Sequence, residues 1–293
     1  MLWRLFVDLG GKLLAGREER FVAVRSSRVA REFYSVPVCS ARVHDYLLRG
    51  SNSFSADRRY ADSFAAVQPR VRRLLRTERV FWTRAVCFML DRGIRQFLDL
   101  GAGLPVHDGE NDLAPFHGQD DQVRFVHIDS DPAAVAHGSM LLSRRSDNLY
   151  LQADAADVAH VVSACVQSGA IDVRRPVGIL AVGLLHLIPP RSRPKALVSR
   201  YCSVFAPGSV AAITHLTPRF GGEHRAEAAR LIAGPDRTLY PRSRAAVQRM
   251  FSGLKLVQPG LTLLSHLWRP GVPVSEFEGA QVEGLLGGLA VTN

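Results

Sequence analysis

The stretch Arg95-Gln96-Phe97-Leu98-Asp99-Leu100-Gly101-Ala102-Gly103-Leu104-Pro105 is an apolar run with one internal carboxylate that stops at a glycine turn. It reads as a short buried strand entering a tight reversal. Further along, Val123-Arg124-Phe125-Val126-His127-Ile128-Asp129-Ser130-Asp131-Pro132 repeats the pattern, and its strand ends on Asp129. A glycine turn followed by an acidic strand end is how doubly wound α/β domains hold an adenosine. The glycines let the backbone approach the ligand, and the carboxylate takes the ribose hydroxyls.

The turn has other readings. Gly101-x-Gly103 also occurs at plain chain reversals. The dinucleotide fingerprint Gly-x-Gly-x-x-Gly is incomplete, because Val106 stands at its third glycine. No Gly-Lys-Ser/Thr follows, which excludes a P-loop. A third glycine packs a helix closely under a pyrophosphate. Its absence fits a ligand without phosphate, and S-adenosylmethionine (SAM) has none.

The pattern outward from this turn alternates. Strands are expected at 95–100, 123–129, 148–152, 177–182, 209–215, 254–258 and 262–268. Helices are expected at 132–144, 155–167, 191–205, 222–233 and 242–252. This predicts an α/β, doubly wound, mostly parallel sheet of seven strands, with helices on both faces. Pro259-Gly260 is too short for a crossover, so the last two strands should form an antiparallel hairpin. Ahead of the sheet, helices are expected at 41–49, from Ser55 to about Gln68, and from Pro69 to about Arg92. Residues 1–36 read as a basic appendage, and the Gly-rich tail 276–293 as peripheral. The main domain spans 37–275, with a helical portion at 37–92 and the sheet at 93–275.

Ligands in such sheets bind outside the carboxyl ends of the strands. Three successive strand ends there carry Asp99, Asp129 and Asp154. Asp154 can accept from an adenine amino group. Asp131 and Asp154 can also cap the helices that follow them. The next two strands end near His186 and His215. A neutral imidazole there could take a proton from a methyl acceptor, or could simply bond a backbone carbonyl. Residues His107, Asp108, Glu110, Asp112, His117, Asp120 and Asp121 form a polar loop without metal-ligand spacing, so no metal is expected.

Composition narrows the class. The 293 residues, 47% of them hydrophobic, suffice for one large α/β domain. No apolar run is long enough to span a bilayer, and Asp8 and Lys12 interrupt the apolar start. Cys39, Cys87, Cys165 and Cys202 are scattered, which fits a reducing cytoplasm rather than a zinc or disulfide framework. The net charge of +10 raises nucleic acid as a partner. Among the 37 basic residues only Lys12, Lys195 and Lys255 are lysine, and the arginines are spread along the chain. Such a bias follows from GC-rich coding. Residues 17–31 remain open as a basic arm for RNA or an acidic partner.

One segment is not explained by the generic fold: Ala41-Arg42-Val43-His44-Asp45-Tyr46-Leu47-Leu48-Arg49-Gly50-Ser51-Asn52-Ser53-Phe54-Ser55-Ala56-Asp57-Arg58. Together with the glycine turn, Leu184-Leu185-His186-Leu187-Ile188-Pro189, Pro241-Arg242-Ser243-Arg244 and Leu256-Val257-Gln258-Pro259-Gly260-Leu261, it strongly resembles an actinobacterial SAM-dependent methyltransferase family formerly known as a domain of unknown function. The resemblance covers roughly 37–271. It implies a class I methyltransferase fold with an N-terminal helical lid over SAM. It also implies that Tyr46, Asn52, Phe54 and Arg79 enclose the cofactor. Asp99, Gly101, Gly103, Asp129 and Asp154 would hold it, with the neighbouring Ser130 and Ala155.

The chain departs from that family at Arg49-Gly50-Ser51, where the family carries Gly-Gly-Lys, and after Pro105, where Val106 and Pro115 break the expected helix. The adenosine half of the site thus reads as intact and the methionine half as altered. The expected function is methyl transfer from SAM to a small-molecule acceptor in secondary metabolism. The alternatives are a non-methylating regulator that binds SAM or its product, and a repurposed enzyme such as a cyclase.

Overall fold

A computed structural model describes residues 37–105, 123–143, 147–276 and 279–293. By its contacts Val38–Asn293 forms one compact unit. The expected basic appendage and the polar loop after Pro105 lie outside the described residues.

The unit opens with three helices: α1 (Ser40–Leu47), α2 (Ser55–Val67) and α3 (Val71–Asp91). Asp57 on α2 joins the first two. Its buried carboxylate accepts from Cys39 N at 2.9 Å, Arg42 Nε at 2.7 Å and Phe54 N at 2.9 Å. It therefore satisfies orphan amides at the starts of both helices. Helix α3 buries Val71, Leu74, Leu75, Glu78, Phe81, Trp82, Ala85, Val86 and Met89, a stripe at helical spacing.

The sheet and its helices follow as β1 (Gln96–Leu100), β2 (Arg124–Asp129), α4 (Pro132–Leu141), β3 (Asn148–Gln152), α5 (Val158–Gln167), β4 (Val177–Ala181), α6 (Pro194–Val204), β5 (Val210–Leu216), α7 (Arg225–Ala233), α8 (Arg244–Gln248), β6 (Lys255–Leu256), β7 (Thr262–Ser265) and β8 (Gln281–Val291). The strand order is β3-β2-β1-β4-β5-β8-β6, with β7 also on β8. Strands β1 to β5 pair parallel with one another. The residues of β1, β4 and β5 are all buried, as expected of parallel strands covered on both faces. Phe97 and Phe125 face α3, with Phe81, Trp82 and Met89. Leu98, Val126 and Ile128 face the other way, onto Val161, Leu197 and Tyr201 of α5 and α6.

Two expectations about the chain's end are corrected. The sheet has eight strands, not seven, because the supposedly peripheral tail supplies β8. Val210–Leu216 pairs antiparallel along β8 for its whole length. The expected hairpin is not formed either: β6 and β7 each pair with β8, Leu256 opposite Ala290 and Leu263 opposite Leu286. The glycines that hid this strand are what allow it. A Cβ on Gly284 would lie 2.6 Å from Phe220 N, and one on Gly287 2.6 Å from Leu264 Cδ1.

Candidate methyl-donor site

Strand order reverses between β1 and β4, and a cavity opens at their carboxyl ends. The turn after β1 forms its floor. Gly101 and Gly103 take left-handed φ of 70° and 62°, which a side chain would make costly by about 1–2 kcal/mol. Space is equally tight: a Cβ on Gly101 would lie 2.9 Å from Leu184 Cδ1. The amides of Gly101 and Ala102 donate to the Ile128 carbonyl at 2.8 and 3.0 Å. Gly103 N donates to Asp129 Oδ2 at 2.9 Å, and Asp131 N donates to Oδ1 at 2.9 Å. Burial pushes the Asp129 carboxyl upward, opposed by these two amides and by Arg237. Each oxygen of a carboxylate accepts more than one bond, so both keep capacity for a hydroxyl.

The cavity has two compartments that share Gly101, Asp129, Leu184, Leu187 and Arg237. The first is walled by Ser130, Ala153, Asp154, Ala155, Ile188 and Arg191. Here Asp154 accepts from Ala156 N at 2.8 Å, while Asp157, not Asp154, caps α5. Asp131 does cap α4, accepting from Ala133 N at 2.8 Å. Arg237 reaches over this compartment, donating to Ser130 Oγ at 3.0 Å and lying 4.0 Å from Asp129 Oδ1.

The second compartment lies between the glycine turn, α1 and α3. Asp99 is held there by Trp82 Nε1 at 3.3 Å and by His127 Nδ1 at 3.2 Å. His127 is fixed in turn by Asn148 Oδ1 at 3.0 Å from its Nε2. Glu78 of α3 lines the same compartment and is 7% exposed. The Thr214 hydroxyl donates to Glu78 Oε1 at 2.7 Å, and Gly183 N donates to Thr214 Oγ1 at 2.8 Å. Burial pushes the Glu78 carboxyl up to about 7, with the Thr214 bond working the other way. His186 also lines the compartment, and its buried Nδ1 meets no hydrogen-bond partner among the described residues. Burial drives this imidazole well below its ordinary range, helped by His215, His44 and Arg242.

Comparison with known proteins places the chain in a family. Residues 29–293 match the model of the S-adenosyl methyltransferase family. The chain belongs to that family. It is a SAM-dependent methyltransferase with a class I α/β sheet, as its sequence resemblance implied. A solved DUF574 family protein from Streptomyces avermitilis MA-4680 is 26% identical, with a TM-score of 0.75 over 88% of this chain and 98% of that one. A candidate methyltransferase from Thermobifida fusca YX is 30% identical, with a TM-score of 0.74 over 89% of this chain and 96% of that one. A comparison with functionally curated proteins finds no match.

In this methyltransferase Arg79, Asp99, Gly101, Gly103, Asp129, Ser130, Asp154, Ala155 and His186 all wall the cavity. The other expected site residues do not. His215 is fully buried and both of its ring nitrogens are engaged: Nδ1 with the Leu216 carbonyl at 2.7 Å, Nε2 with Arg242 at 3.0 Å. The second of these bonds ties β5 to the Arg242 segment. Tyr46 bonds Asp62 Oδ1 at 3.3 Å and lies under Arg72. Asn52 is bound twice by the Asp45 carboxylate, at 2.8 and 3.2 Å. Phe54 is 38% exposed beneath Arg42. These three build the helical segment itself, and Ser40, Ala41 and His44 of α1 reach the cavity in their place. Sequence reasoning passed over Glu78 and Arg237. Glu78 had a signal: it is an acid at a position of α3 where the spacing calls for an apolar side chain.

Proposed function

We propose that the shared cavity holds SAM across the glycine turn and presents its methyl group to a small acceptor beneath α1 and α3. The carrying observation is the Asp129 carboxylate, bonded to Gly103 N at one end of the turn and open to the cavity. The adenosine would occupy the compartment of Ser130, Asp154 and Ala155, with the ribose on Asp129. The methionine end would pass over Gly101 toward Asp99 and Arg79, beside Gly183.

Methyl transfer needs the nucleophile, the methyl carbon and the sulfur in line, and holding them so supplies much of the acceleration. SAM supplies the activated methyl when bound. The protein's part is to enclose and orient it. Wall residues from α1 and α3, which help to enclose the second compartment, support a small acceptor. The thiols of Cys39, Cys165 and Cys202, buried and free, support a reducing compartment such as the cytoplasm.

Calorimetric titration with SAM and with S-adenosylhomocysteine tests the assignment. Micromolar binding of both, weakened by Asp129→Ala, is the expected result. Unchanged affinity in that variant would remove the ribose from Asp129.

A further inference from the structure

We infer that Glu78 is the proton acceptor of this methyltransferase, and that the acceptor substrate therefore carries a hydrogen on its attacking atom, as a hydroxyl or amine does. The inference rests on the cavity assignment above and deepens it.

The geometry sets Glu78 apart from Asp99 and Asp129. Asp99 and Asp129 have both oxygens engaged by donors. Among the described residues Glu78 has one oxygen engaged, Oε1, by the Thr214 hydroxyl. Its Oε2 sits beside Gly183, where an added Cβ would come within 3.6 Å of it. Gly183 and Leu184 follow the carboxyl end of β4, and Leu184 packs on Gly101 of the cofactor turn. Oε2 thus borders the place where the methionine end of SAM leaves the glycine turn. The relay from Gly183 N through Thr214 to Oε1 fixes the carboxyl plane without neutralising it. No ion pair forms on Glu78 among the described residues. A structural acid on an apolar helix stripe would be expected to have a cation or several donors.

The neighbouring groups do not compete for the role. On α1 the cavity meets His44 and Asp45, but Asp45 is committed to Asn52. On α3 itself Arg79 stacks on Trp82. After β4 there is His186, and beyond α7 there is Arg237 over Ser130. Asp131, after β2, caps α4. Burial holds His44 down at about 4 and His186 well below its usual range. Both imidazoles are therefore weak bases. Burial moves Glu78 the opposite way, to about 7, close to the working range of a general base.

The step balances. The acceptor's lone pair forms a bond to the methyl carbon, and the carbon–sulfur bond breaks with its electrons passing to sulfur. S-adenosylhomocysteine leaves neutral at sulfur. The proton on the acceptor atom passes to Glu78 Oε2, which later returns it to solvent. A carboxylate acceptor would bring a second anion against Glu78 and has no proton to give, so it is excluded as the substrate class.

The test starts without any acceptor. SAM carries a positive sulfonium that S-adenosylhomocysteine lacks, and a cation beside Oε2 favours the ionised carboxyl. Titration of SAM into wild type at pH 7, in two buffers of different protonation enthalpy, should release up to about half a proton per SAM. S-adenosylhomocysteine should release less, and Glu78→Gln none. Glu78→Asp keeps the carboxyl and covers the case in which the glutamine variant does not fold. Transfer from SAM to a panel of phenols, amines and carboxylic acids, read as S-adenosylhomocysteine formed, follows. Turnover of phenols or amines, lowered about 100-fold or more in Glu78→Gln and partly restored in Glu78→Asp, is expected. Equal proton counts in wild type and Glu78→Gln, or turnover of a carboxylic acid, overturn the inference and leave the cofactor site standing. Wild type that binds neither SAM nor S-adenosylhomocysteine refutes the cavity assignment itself. If no panel member is turned over, the proton count decides.

Discussion

Asp129 and Gly103 are tied by a 2.9 Å hydrogen bond from the glycine amide to the carboxylate. The end of β2 and the glycine turn are therefore tied together, and the acid is pre-set before any ligand arrives. On the proposed binding mode, with the ribose on Asp129, Asp129→Ala should weaken SAM and S-adenosylhomocysteine alike, by about 1.5–3 kcal/mol, through loss of charge-assisted bonds common to both. Calorimetry with each ligand checks this. A loss confined to SAM would place the sulfonium, not the ribose, on Asp129.

Glu78 makes the protein's stability depend on pH in a defined direction. Its carboxyl titrates at about 7 in the fold against 4.5 when free. The folded state holds the proton more tightly, so the stabilisation is full below pH 4.5 and is lost as pH rises through 7. Glu78→Gln mimics the protonated form. It should match wild type near pH 4.5 and exceed it above pH 7 by on the order of 2–3 kcal/mol. Denaturant melts of the ligand-free protein at pH 5 and pH 8 measure the gap. A gap that does not change with pH would mean the carboxyl is not buried as described.

Arg242 is a stitch rather than a surface charge. Its guanidinium donates to the carbonyls of Leu185 at 2.8 Å and Ile188 at 2.7 Å, and to His215 Nε2 at 3.0 Å. Arg242→Ala would strand these acceptors and should cost about 3–4 kcal/mol. Thermal melts report it.

His215 adds an acid limit. Burial holds its pKa at about 4 against 6.5 when free. The unfolded chain then takes up a proton first, so its contribution is complete above pH 6.5 and is lost as pH falls toward 4. His215→Gln should flatten that limb while sparing SAM affinity. A variant that stays stable but loses only methyl transfer would return His215 to the catalytic group.

The last strand carries more than its composition suggests. Removing residues 281–291 should leave a protein that does not fold, because β5, β6 and β7 all bond to that segment. Circular dichroism and solubility of the truncated chain are the readout. A folded, SAM-binding truncation would show that β8 is dispensable.

The parallel half of the sheet was legible because its strands are apolar runs buried on both faces, and a run such as Gln96–Leu100 looks like little else. The glycine turn and its acid were legible for the same reason, since backbone closeness leaves a mark in residue type. The antiparallel edge was not. Gly284, Gly287 and Gly288 interrupt the apolar pattern of β8, and their purpose is visible only against Phe220, Leu264 and Phe251. Pro259-Gly260 looked like a hairpin turn, yet the strands on either side of it share β8 as their partner. In the helical segment Tyr46, Asn52 and Phe54 stood out by type. Which side faces the cavity depends on how α1 docks on α2 through Asp57, and no periodicity within α1 reveals that docking.

The placement of β8 also orders events during synthesis. Strands β6 and β7 leave the ribosome before it, and among the described residues their one sheet neighbour is β8. Until β8 slides in beside β5, one margin of the parallel sheet stays open and two short strands wait unpaired. Such an open margin invites pairing with other chains. Production of this protein should therefore depend on how quickly that strand is delivered, and a pause in translation just ahead of it should favour aggregation over folding.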